Sequence, residues 1–421
     1  MSHRTRIVLC IGLVFAPLVA GLTACVGGAS SLTATPYDAT GHLSFGHADG
    51  PGATAADPDQ PLTITLTDTG GRITDVTARD SEGRPLTGEL TADGRGWRSS
   101  EPLAARASYT VRVSTENGNG EPGRGVYEFR TGTSDSAERL EISFGPEPGT
   151  YGVGQPLTAE LSHPVSALTE RARVESALTV RSDPEVTGAW HWVDDQTLHY
   201  RPREYWPAHA TVTVSSALDG VHIRDGLRGA AAEPLEVSFG DRIEAVADIS
   251  ALTMTVSRNG EELRTVPITT GKEGFRTRNG KKVILGRESY VRMTGTSIGI
   301  PAGSAESYDL PVYWATRLTW SGEYVHGAPW SAASHGVANV SHGCTGLSTE
   351  NARWFFELVK PGDIVEHVNG YGEDMDPFGN GFGDWNLSWE EWQEGSALHA
   401  MAERRDEQRQ EAASGPLRPG V

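Results

Sequence analysis

Four side chains able to act as nucleophile, base or metal ligand fall within one short stretch: His326, His335, His342 and Cys344. Two chemistries suit such a set. Three imidazoles and a thiolate can ligate zinc, but the spacings of nine, seven and two residues match none of the usual zinc patterns, so no metal is expected. The other is covalent catalysis, in which a thiolate attacks and an imidazole takes its proton. Gly343 beside Cys344 permits a tight turn and close approach of a substrate backbone. Cys344 also lies just ahead of a helix that Ser348 can cap, so the amides around it are placed to meet a developing oxyanion. No carboxylate sits close in sequence to orient the base, which leaves a backbone carbonyl for that task.

The remaining cysteines frame this one. The chain has three: Cys10, Cys25 and Cys344. Arg4 and Arg6 precede an apolar run over residues 7–22, the pattern of a secretory signal. The run closes on Leu22-Thr23-Ala24-Cys25, which resembles the bacterial lipobox, and in such signals the cysteine carries lipid and becomes the mature N-terminus. Residues 1–24 are thus expected to be a signal peptide and 25–36 a small, polar tether. The body would be exported and held by lipid at Cys25 on the outer face of the cytoplasmic membrane. Cys344 would then be alone where disulfides form, which marks it as a reactive group. The net charge of −19 argues against nucleic acid as a partner.

The elements that must position these groups are mainly β. Gly 50 and Pro 24 in 421 residues favour turn-rich structure over long helices. Residues 37–133 read as short strands, among them the alternating 62–66 and 109–113, with turns at 81–84 and 117–120. Residues 138–241 read the same way. Laying 97–113 on 198–214, an offset of 101, aligns Thr110-Val111 with Thr211-Val212 and Val113 with Val214. Two tandem immunoglobulin-like β-sandwiches are expected. Residues 242–370 form a third, β-rich unit, with an Asn259-Gly260 hairpin and one helix whose stripe is Ala352, Phe355, Phe356 and Val359. A small Trp-rich subdomain, 371–400, carries a capping box of Ser388 and Glu391 and sets Trp385, Trp389 and Trp392 on one helical face. Residues 401–421 read as a frayed, disordered tail. All the proposed chemistry lies between Met293 and Cys344, so 242–400 is expected to suffice for it.

The motif His326, fourteen residues, then Ser341-His342-Gly343-Cys344 resembles the signature of L,D-transpeptidases with a YkuD-like catalytic domain. Tyr324-Val325-His326-Gly327-Ala328-Pro329-Trp330-Ser331 and Gly383-Asp384-Trp385-Asn386 resemble segments of mycobacterial-type members. The resemblance implies Cys344 as nucleophile, His326 as base, the Gly327 carbonyl as its orienter, and the amides of His342, Gly343 and Cys344 as oxyanion hole. It also implies Tyr308 on a lid over the donor site and Met293 lining that site, with Ser341 and Trp330 at the substrate. His342 is implied as structural, and His335 reads as a loop residue. The implied reaction joins peptidoglycan stem peptides without metal or organic cofactor and is blocked by carbapenems. Water as acceptor would make the same site a carboxypeptidase. A non-catalytic cell-wall binding lipoprotein is disfavoured by the intact histidine and cysteine. The chain departs from the family at Gly327, where serine is common, and at Thr345-Gly346, where an aliphatic residue and then Asn or Arg are common.

Overall fold

In the first unit, alternation puts Leu62, Ile64, Trp97, Val111 and Val113 on inward positions of facing sheets. The computed structural model describes residues 35–46, 55–134 and 138–414. The signal segment, Cys25 and the tether up to residue 34 lie outside the described residues, as do the last seven.

One sheet of the first sandwich runs Leu43–Gly46, Pro61–Leu66, Gly96–Pro102, Gly88–Leu90. The other runs Tyr37–Asp38, Pro122–Arg130, Ser108–Glu116, Arg72–Asp80, Pro85–Leu86. In the second sandwich the orders are Ile142–Gly145, Leu157–Leu161, Thr197–Pro202, Gly188–Trp192 and Thr150–Tyr151, Leu235–Phe239, Thr211–Ser216, Leu178–Asp183. The offset of 101 therefore superposes equivalent strands: Gly96–Pro102 on Thr197–Pro202, and Ser108–Glu116 on Thr211–Ser216. The second unit adds a three-stranded sheet and a helix, α1 (Leu168–Ser176), that the sequence reading did not anticipate. Only Leu168, Ala172 and Val174 are apolar in α1, too few to show a helical stripe.

The sandwiches are joined partly through Arg228, 1% exposed, which donates to the carbonyls of Leu103 and Pro58 at 2.9 Å and to Asp59 at 2.6 Å, and partly through the ion pairs of Arg106 with Asp219 and of Arg173 with Glu101.

The third unit has two sheets. The first orders Glu261–Pro267, Thr253–Arg258, Ile243–Asp248, Ile364–Val368, Gly280–Val283; the second orders Gly286–Thr294, Asp309–Arg317, Tyr324–Gly327, Thr345–Leu347. Asn259 and Gly260 both take left-handed backbone, as a two-residue hairpin requires. Helix α2 (Thr349–Leu358) starts where Ser348 Oγ accepts the Asn351 amide at 3.2 Å, and buries Ala352 and Phe355 against the core.

The C-terminal segment differs from expectation in two ways. The capping box is present on α3 (Trp389–Glu394), but Trp385 sits in a separate 3-10 turn, Asp384–Asn386. The three rings still converge, because all surround Arg201 of the second sandwich, whose guanidinium lies 4.6 Å from Trp392, 4.8 Å from Trp385 and 5.7 Å from Trp389. The expected tail from 401 is corrected over residues 401–414, which α4 (Ala397–Ser414) covers. Its Ala, Glu, Arg and Gln are good helix formers. Glu175 of α1 accepts the Ala397 amide at 2.8 Å, and Met401 packs on the second sandwich. The Gly-Pro pair that suggested fraying begins only after Ser414.

The Trp-rich segment is thus a strap across the second sandwich. Asp384 pairs with His199 at 2.7 Å, Trp392 Nε1 donates to the Ala189 carbonyl at 2.9 Å, and Trp385 Nε1 donates to the Gly154 carbonyl at 2.7 Å.

Candidate active site

Strands Tyr324–Gly327 and Thr345–Leu347 pair in parallel, with His326 opposite Gly346. Cys344 precedes Gly346 by two residues, so it projects to the same face as His326. The imidazole is 5% exposed. Its Nδ1–H donates to the Gly327 carbonyl at 2.9 Å. A carbonyl only accepts, so the proton must sit on Nδ1, and Nε2 is left as an acceptor when the ring is neutral. Glycine at 327 supplies this main-chain oxygen as serine would.

The resting state is neutral on both sides. Burial pushes the Cys344 thiol up to about 12, against the opposing pull of the Tyr324 amide and Lys282. Burial lowers His326 below its ordinary 6.5, the Gly327 carbonyl opposing. The thiol lies 3.5 Å from the Gly322 carbonyl, toward which it donates. A thiol in this state would have to lose its proton as it attacked, and a neutral imidazole is able to accept it.

The pH dependence follows from these two signs. A lowered imidazole stays basic down past 6.5, and a raised thiol gains no thiolate in the neutral range. Acylation of Cys344 by a carbapenem should be flat through neutrality and fall only on the acid side of 6.5. Rates taken across pH ~5–9 check this; an acid limb centred above 6.5 would contradict it.

Both groups open into a cavity of about 580 Å³. Tyr308, Met293, Ser341, Trp330, His342 and Gly343 line it as well, so of the expected site residues within the described chain only Gly327 stands behind the wall. Trp330 is half exposed and stacks over His326 at 5.8 Å. Tyr308 lies against the His342 ring at 5.0 Å, and Phe275 meets that ring edge-on at 4.6 Å. His342 Nε2 donates to Glu306 at 2.8 Å, and Lys272 pairs with the same carboxylate. That ties the His342 ring to Glu306 and Tyr308. Ser341 Oγ donates to the Cys344 carbonyl at 2.6 Å and accepts the Gly343 amide at 3.2 Å. Gly343 takes φ +119, a conformation glycine tolerates best. His335 is half-buried, with Nε2 3.4 Å from Ser331 Oγ. Among the described residues no group of His, Cys, Asp and Glu is placed to hold a metal ion.

Around Cys344 stand the two departures Thr345 and Gly346 and three charged residues that were not singled out in the sequence, Arg278, Lys282 and Glu323. Thr345 is buried and shares a 2.8 Å hydrogen bond with His367, itself buried. A Cβ on Gly346 would come within 2.9 Å of Thr269 Cγ2 and 3.0 Å of Ala328 Cβ, so a larger residue would have to move both. Arg278 and Glu323 line the cavity, and Lys282 lies beneath them. Glu323 lies 45 residues beyond Arg278 and 41 beyond Lys282, and a lone Lys or Glu between strands carries no local signal of pairing.

A carbonyl-oriented histidine on one strand and a cysteine just ahead of the adjoining strand in a β-rich domain, behind two sandwiches, define a class that comparison with known proteins identifies. Residues 242–366 match the YkuD L,D-transpeptidase catalytic domain, and residues 53–222 match a bacterial Ig domain. The chain is 33% identical to L,D-transpeptidase 2 of Mycobacterium tuberculosis over 347 residues, 82% of this chain and 83% of that protein. It is 42% identical to L,D-transpeptidase 1 of the same organism over 218 residues, 52% of this chain and 80% of that one. A solved L,D-transpeptidase in complex with imipenem aligns with a TM-score of 0.48 at 38% identity, covering 54% of this chain and 99% of the other. The chain belongs to the L,D-transpeptidase family.

Proposed function

We propose that the chain cross-links peptidoglycan stem peptides through a thioester on Cys344. The observation that carries this reading is that Cys344 and a His326 whose Nδ1 is tied to the Gly327 carbonyl both open into one cavity. His326 Nε2 takes the thiol proton as Sγ attacks the carbonyl carbon of the L-centre at position three of a donor tetrapeptide. The Gly343 amide is engaged by Ser341, so the amides of His342 and Cys344 are the stronger candidates to face the oxyanion. Collapse breaks the C–N bond, and the departing D-alanine amine takes the proton from His326. The side-chain amine of a diaminopimelate on a second stem then gives its proton to His326 and attacks the thioester, forming the 3→3 amide and restoring the thiol. These steps need no metal or organic cofactor. The N-terminal apolar run and Cys25 support export and lipid anchoring at the outer face of the cytoplasmic membrane.

Mass spectrometry of purified muropeptides after incubation tests the reading. Cross-linked dimer is the expected product. Tripeptide alone would mean that water is the acceptor, and unchanged substrate would remove catalysis.

A further inference from the structure

Beneath the nucleophile lies a charged triad that the proposed reaction does not use. Lys282 is 0% exposed, and its Nζ donates to Glu323 Oε2 at 2.6 Å and to the Arg278 carbonyl at 2.8 Å. The other Glu323 oxygen, Oε1, accepts Arg278 Nη1 at 3.0 Å and the Arg278 amide at 3.3 Å. Glu323 directly follows Gly322, whose carbonyl faces Cys344 Sγ.

The charges do not cancel. Two cations share one carboxylate, and a buried ammonium is costly unless it is paired. Lys282 takes up the charge of Glu323 from below, so the positive charge of Arg278 is left in excess at the cavity wall. That side chain is 34% exposed, and a guanidinium carries five N–H donors. Among the described residues its side-chain hydrogen bonding is confined to Nη1. The remaining donors form a planar edge suited to a carboxylate. Of the neighbouring cluster of Lys272, Glu306 and His342 only His342 lines the cavity, and it is engaged with Glu306.

We propose that Arg278 recognises a carboxylate of the donor peptide, held in place by Glu323 and Lys282 as positioning residues. The inference rests on the proposed transpeptidase reading. A donor stem offers two carboxylates near the attacked carbonyl: the C-terminal one on the departing residue, and the one on the diaminopimelate side chain. Both present the same chemistry to a guanidinium.

The test compares three donors on the whole protein: the free-acid tetrapeptide, its C-terminal carboxamide, and the peptide amidated on the diaminopimelate side chain. Wild type should lose about ten- to hundredfold in kcat/KM on one of the two amides, and that amide names the carboxylate. Arg278→Gln should lower the free acid to the level of that amide and lower the amide no further, while Arg278→Lys recovers part of the rate. Glu323 keeps Lys282 in these variants, and unchanged melting temperatures verify the fold. Equal use of all three donors by wild type, or a uniform loss across them in Arg278→Gln, would overturn the proposal. Calorimetric binding of the same peptides separates the two readings if no donor is turned over. Tighter binding of the free acid would keep the carboxylate site and remove transpeptidation, whereas equal binding would remove both.

Discussion

Cys344→Ala is expected to abolish product formation and the covalent carbapenem adduct while the protein melts at nearly its original temperature. The thiol is the only group at the proposed site that can form a thioester, so turnover should fall by more than about 10³-fold. The side chain borders the cavity and only partly enters the cluster of Val312, Ala315 and Tyr324. Its loss should cost no more than about 1 kcal/mol. His326→Ala should follow it closely, because nothing else accepts the thiol proton. His335→Ala should retain most of the rate, its imidazole being engaged with Ser331. Intact-protein mass after carbapenem treatment and donor turnover for the three variants are the measurements. An adduct persisting on Cys344→Ala would end the assignment of the nucleophile.

Deleting residues 384–414 should destabilise the second sandwich and the catalytic domain together. Trp385 and Trp392 are buried, and each buried aromatic side chain contributes roughly 1.5–3 kcal/mol. The deletion also strips the three rings from Arg201, the carboxylate from His199, and the Ser396 and Ala397 donors from buried Glu175. Against a typical domain stability of about 5–15 kcal/mol, this is enough to unfold the joint. The reciprocal cut makes the same point. A fragment of residues 242–400 holds every proposed catalytic group but leaves the strap without its receptor, so it should melt far below a fragment of residues 138–414. Equal melting temperatures and equal acylation rates for the two fragments would show that the strap contributes nothing.

Periodicity made much of this fold legible. The strands at 61–66, 108–116 and 253–258, the hairpin at Asn259-Gly260 and helix α2 all follow from alternation, turn chemistry and capping that neighbouring residues carry. The repeat of 101 residues pointed to equivalent strands because both sandwiches bury the same inward positions. The cavity residues were legible through the spacing of His326 and Cys344 and the family resemblance. What stayed hidden was long-range and polar. Nothing near Arg201 announces three tryptophans from nearly two hundred residues away, and nothing near Lys282 announces Glu323. α4 was missed for a related reason: its residues favour helix, but only Glu175 and the second sandwich pin its first turn.

The two joints along the chain differ in how they are written. Arg228 reaches the first sandwich mainly through main-chain carbonyls, with Asp59 as the one side chain in that set. Carbonyls are offered by any sequence, so that part of the contact tolerates drift in the first sandwich, whereas the ion pairs of Arg106 with Asp219 and of Arg173 with Glu101 do not. The strap, beside its bonds to the Gly154 and Ala189 carbonyls, matches side chain to side chain, with Arg201, His199 and Glu175 answering tryptophans, Asp384 and Ser396. Second sandwich and catalytic domain are therefore matched to each other residue by residue, and a chimera cut between them near residue 241 would separate Arg201, His199 and Glu175 from these partners.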